Sequence, residues 1–117
     1  MGIRVTPGYF QSAEDAREEI TRLGLHPVEM DVPPVSNTSH WHDFSTRIYV
    51  LSGELRITDE AASRAMLAGH GALVEVPEKT LHSEHSESGY RIIAGMTVNP
   101  ATLTSEVDLP PETLPDS

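Results

Sequence analysis

From residue 25 onward the chain is cut into short apolar runs by closely spaced turn residues, and that cadence restricts it to short strands. Val28, Met30 and Val32 alternate with polar residues until Pro33-Pro34 ends the run. Residues 46–51 are rich in β-branched and aromatic side chains, and Ser52-Gly53 turns into residues 54–58, which predicts a hairpin. Met66-Leu67 precedes a Gly69-His70-Gly71 turn, residues 72–76 form another strand closed by Pro77, and residues 90–98 return after a polar turn. Ahead of all this, Ser12 reads as an N-cap, Ala13, Ala16, Ile20 and Leu23 recur at helical spacing, and Gly24 supplies a stop. The expected fold is all-β, a sandwich or barrel, with one short N-terminal helix over 13–23.

At 117 residues the chain fits a single domain, spanning 1–117 with its barrel core at about 26–98. Pro100, Pro110, Pro111 and Pro115 exclude a central strand from residues 99–117 and predict an extended acidic arm. The absence of cysteine excludes disulfides, thiolate metal sites and thiol nucleophiles. A net charge of −10 argues against nucleic acid as a partner, because that affinity comes largely from Lys and Arg. No apolar run is long enough to span a bilayer and the first residues lack a signal-peptide pattern, so a cytoplasmic location away from membranes is expected.

Five of the six histidines fall between residues 40 and 85. His40 and His42 are two apart, so in an extended segment they project from one side and can offer two cis ligands to one ion. Trp41 then faces away, to pack under the barrel or in a dimer contact. His82 must arrive from a neighbouring strand. By the same alternation Glu84 shares a face with His82, while Tyr49 and Arg47 share the face opposite Thr46. His70 reads as an exposed turn residue and His85 as a strand-end residue pointing away from Glu84.

Two stretches resemble the paired motifs of the cupin superfamily. His40-Trp41-His42 leads through Thr46 to a strand and turn ending at Gly53, and Gly71 leads through an apolar strand to Pro77 and then to His82. The resemblance spans residues 39–85 and implies a double-stranded β-helix, or jelly-roll barrel, that binds a metal through His40, His42 and His82. Three departures accompany it. Thr46 stands where the family has a glutamate ligand, Lys79 replaces a glycine and should change the turn before His82, and Ser86 replaces an asparagine. Thr46, Glu84, Arg47 and Tyr90 are therefore candidates for an additional ligand or the pocket wall. Arg47 or Arg91 beside the metal would favour an anionic substrate.

The resemblance implies a metal-binding small-molecule protein, with dioxygenase-like chemistry on iron named first and zinc, nickel or manganese as other ions. The alternative is a non-catalytic ligand-binding barrel, or a degenerate one without metal. A metal-free sugar-nucleotide isomerase would need a basic cluster for the pyrophosphate, which eight scattered basic residues do not supply. The acidic tail is expected to take no part in chemistry. Small cupins commonly dimerise, and a homodimer through an edge strand at residues 28–32 is expected.

Overall fold

The computed structural model describes residues 2–102 and 108–114. Helix α1 (Ala13–Arg22) begins where Ser12 Oγ accepts from the Asp15 amide at 3.1 Å, and Gly24 follows it at φ +72°. Ala16 and Ile20 are fully buried on its inner side, packed with Phe10, Tyr49, Leu73 and Ile93. None of the described helices is long and apolar enough to cross a membrane.

The described residues form nine strands: β1 (Arg4–Thr6), β2 (His26–Val32), β3 (Val35–Ser36), β4 (Thr46–Gly53), β5 (Leu55–Asp59), β6 (Arg64–Ala68), β7 (Leu73–Val76), β8 (His82–Ser86) and β9 (Tyr90–Met96). They form two antiparallel sheets, one ordered β1-β7-β4-β9-β2 and the other β3-β8-β5-β6. Ile48, Val50, Leu55, Ile57, Val74 and Ile92 fill the space between them. Each such side chain, fully buried, stabilises the fold by about 1.5–3 kcal/mol. β1 and β3 are too short to have shown in the sequence pattern; β1 extends the first sheet beyond the core expected at 26–98.

The hairpin expected across Ser52-Gly53 does not form. β4 and β5 belong to different sheets, and the chain turns a corner between them at Gly53, whose φ is +80°. A Cβ there would collide with the Gly89 carbonyl and stand 2.8 Å from Tyr90 Cα, so only glycine lets the corner close. β5 instead pairs with β6 and β8.

The arm expected over 99–117 lies partly outside the described residues, but its described part is anchored. Trp41 and Leu109 exchange both backbone hydrogen bonds, at 3.1 and 2.9 Å, and Trp41 Nε1 donates to the Pro110 carbonyl at 2.9 Å. Trp41 is buried, with this arm among its partners, and it does not line the cavity that the histidines face.

Candidate metal centre

His40 lies opposite His82 in an antiparallel bridge, each amide donating to the other's carbonyl at 2.8 and 2.9 Å. Directly paired residues send their side chains to one face, which is how residues forty-two positions apart meet. His42 joins them because the segment stays extended, and Lys79 holds it by donating its amide to the His42 carbonyl at 2.8 Å. The ring centroids are 4.4 Å (His40–His82), 5.0 Å (His42–His82) and 5.2 Å (His40–His42) apart. One ligand nitrogen from each lies within 4.8 Å of the others. Phe44 stacks on His42 at 5.0 Å.

Lys79 was expected to change the turn before His82. It stands at φ +58°, in the left-handed region that suits glycine, so the lysine keeps a glycine-like backbone. Ser86, in place of asparagine, donates to the Glu54 carbonyl at 2.7 Å and accepts from the Gly89 amide at 3.0 Å, stapling the turn between β8 and β9.

The orientation of two imidazoles is fixed from behind. His40 Nδ1 lies 2.8 Å from the Thr38 carbonyl and His82 Nδ1 lies 2.8 Å from the Thr80 carbonyl. A carbonyl can only accept, so Nδ1 carries the proton in both rings and Nε2 is turned toward the other histidines. Such backing is what metal-bound histidines ordinarily have.

Glu84 completes the group. Its Oε1 lies 3.0 Å from His40 Nε2 and 3.9 Å from His82 Nε2. Asn37 grips the same residue at three points: its Nδ2 donates to Oε1 at 3.3 Å, its Oδ1 accepts the Glu84 amide at 2.7 Å, and its own amide donates to the Glu84 carbonyl at 3.1 Å. Tyr90 lines the same cavity as Glu84. Burial alone would push the Glu84 carboxyl up, but the His40 hydrogen bond, the neighbouring histidines and Asn37 outweigh it and hold the group below its ordinary value. Burial likewise opposes charge on His40, yet Glu84, the Thr38 carbonyl and Asp108 raise it to about 9. His82, more deeply buried, is held below its ordinary value chiefly by desolvation. Tyr90 is raised by burial and by the Glu84 charge.

Not every candidate reaches this place. Thr46, Glu84 and Tyr90 line the cavity beside the histidines. Arg47 does not: it leaves the opposite face of β4 and bonds to Glu19 (2.7 Å), Tyr49 (3.1 Å), Tyr9 (3.1 Å) and Glu75 (3.3 Å), tying α1 to the first sheet. Arg91 is exposed and paired with Glu29 and Asp31. Arg47, a candidate for the pocket, and Arg91 are thus both absent from the cavity wall, because strand alternation sends them to the outer face. The sequence reading also missed Asp108. Its Oδ1 lies 3.6 Å from His42 Nδ1 and 3.8 Å from His40 Nε2, brought there by the Trp41–Leu109 pairing of the arm expected to stand apart from the chemistry.

The cavity holds about 530 Å³, within the range of small-molecule sites. Three imidazoles with a neighbouring carboxylate make a donor set that suits zinc, iron, nickel or manganese.

No protein-family profile matches this sequence, and no curated protein is similar to it at a significant level. Solved structures are similar in fold. A TDP-quinovose 3,4-ketoisomerase from Campylobacter jejuni gives a TM-score of 0.62 over 92% of this chain and 91% of its own, at 9% identity. A DUF861 family protein from Thermotoga maritima gives 0.56 over 79% and 96%, at 14% identity. The Mn(II)-containing oxalate decarboxylase of Bacillus subtilis gives 0.55 over 92% of this chain and 28% of its own, at 21% identity. Likeness at such identities speaks for the fold and leaves the chemistry to the residues themselves. The two antiparallel sheets, the motif histidines set between them and these likenesses together give the chain a small cupin-type jelly-roll fold.

Proposed function

We propose that this chain binds one divalent metal ion through His40, His42 and His82 and uses it to bind and transform a small molecule. The observation that carries the reading is the pair of carbonyl-backed imidazoles, His40 on Thr38 and His82 on Thr80, which turn two Nε2 atoms toward one place. Iron is the ion we favour, in a dioxygenase-like reaction, with zinc, nickel and manganese also suited to imidazole. Such an ion supplies a Lewis-acidic centre with positions left open for substrate.

The chain's own residues define the surroundings. Glu84, steadied by Asn37, offers a carboxylate either to the ion or to a substrate proton. Ile48, Ile92 and Met96 line the cavity with apolar surface against which a small molecule can pack. We also propose a homodimer through β2, the edge strand of the first sheet, where Met30 is 41% exposed.

Elemental analysis of the protein purified without a histidine tag tests the reading. About one ion per chain, absent from the His40→Ala/His42→Ala variant, is the expected result. No retained ion after loading with iron, zinc, nickel and manganese in turn would overturn it.

A further inference from the structure

The cavity has two unlike walls. One is the inner face of the first sheet, where β2, β4 and β9 run in register: Val28 pairs with Ala94 and Ala94 with Ile48, while Met96 pairs with Thr46. Side chains two apart share that face, so Val28, Val32, Ile48, Ile92 and Met96 make it almost wholly apolar. The other wall comes from β8, β3 and the segment before β4, and it carries His42, His82, Glu84 and Asn37.

No basic side chain supplements them. All eight Lys and Arg residues of the chain lie within the described residues, and none lines the cavity. Arg17, Arg22, Arg47 and Arg91 are engaged with acids elsewhere, and Arg4, Arg56, Arg64 and Lys79 are exposed. The charged groups that do line it, besides the histidines, are the carboxylates Glu84 and Asp108. An anionic group lying against the first sheet would lose its hydration and gain no counter-charge.

We infer that the ligand has an apolar body, uncharged away from the single polar end that faces the histidines. This deepens the proposed function by naming a substrate class, and it rests on that reading only in taking this cavity as the ligand site. Neutral aromatic or alicyclic compounds with one hydroxyl or carbonyl fit; nucleotide sugars and dicarboxylates, which carry charge away from one end, do not.

Calorimetric titration of the full chain, chelator-treated and separately zinc-loaded, with 1-naphthol and with naphthalene-1,5-dicarboxylate tests the inference. The dicarboxylate must set one carboxylate against the apolar wall whichever way it enters. Binding of 1-naphthol in both states, with the dicarboxylate weaker by about tenfold or more, is the expected result. Val28→Arg, a change on an edge strand whose folding circular dichroism checks, should narrow or reverse that preference. Equal or tighter binding of the dicarboxylate, no binding of 1-naphthol, or an unaltered preference in folded Val28→Arg would each overturn it. Zinc stoichiometry, read in its own titration, shows separately whether the metal site stands.

Discussion

His40 Nε2 lies 3.0 Å from Glu84 Oε1, so the strand that supplies His82 also delivers a carboxylate to a histidine of the other motif. Thr46 occupies the position where the resemblance leads one to expect that carboxylate, and Glu84 brings one from a different strand. Glu84→Gln should keep the hydrogen bond with Asn37 and remove the charge. Zinc affinity measured by calorimetry should fall about 10- to 100-fold while the melting curve keeps its cooperativity. An unchanged affinity would leave Glu84 outside the metal's surroundings.

Asn37 acts through Glu84, as its three hydrogen bonds to that residue indicate. Asn37→Ala should weaken zinc binding by about tenfold, and Asn37→Asp, which keeps the acceptor for the Glu84 amide, should recover part of it. Equal effects from both variants would point to a general loss of structure at β3 and β8.

Trp41 ties the arm down with its indole nitrogen as well as its backbone. Trp41→Phe keeps the ring in its buried place and removes the donor to Pro110, at a cost of about 0.5–1.5 kcal/mol locally. Faster hydrogen exchange at the Leu109 amide, with core strands unaffected, is the outcome to look for. Unaltered exchange would mean that the backbone pairing alone holds the arm.

Glu19 should give the fold a pH dependence. Burial pushes its carboxyl up, but hydrogen bonds from Tyr49, Arg47 and Tyr9 and the Arg47 charge outweigh burial and hold it below its ordinary value. A carboxyl depressed in the folded state stabilises that state above its unfolded pKa, and the contribution is lost as pH falls through the folded value. Glu19→Gln should therefore lower Tm at neutral pH and flatten its decline below about pH 4.5. Parallel curves for the two proteins would remove Glu19 from the acid response.

Much of this was legible in the sequence because it depends on local rules. Ser12, Ala16 and Ile20 fix α1 by capping and by period, and alternation placed Glu84 with His82 and Arg47 opposite Thr46. What escaped is what local pattern does not encode. A turn at Ser52-Gly53 looks the same whether the chain folds back in one sheet or crosses to another; the collision a Cβ at Gly53 would make with Gly89 exists only once β9 is in place. Asp108 was passed over for a similar reason: its approach to His42 depends on Trp41 pairing with Leu109, sixty-eight residues along the chain. That corner also gives a test. Gly53→Ala should cost about 1–3 kcal/mol in urea unfolding, and a neutral effect would show that the corner relaxes freely.

X-ray absorption at the metal edge of the zinc-loaded protein tests the central claim most directly, because it counts the imidazoles around the ion. Three imidazole nitrogens with one or more oxygens, falling to two nitrogens in His82→Ala, is the predicted spectrum. A first shell with one imidazole or none, or one that His82→Ala leaves unaltered, would contradict a metal held by His40, His42 and His82.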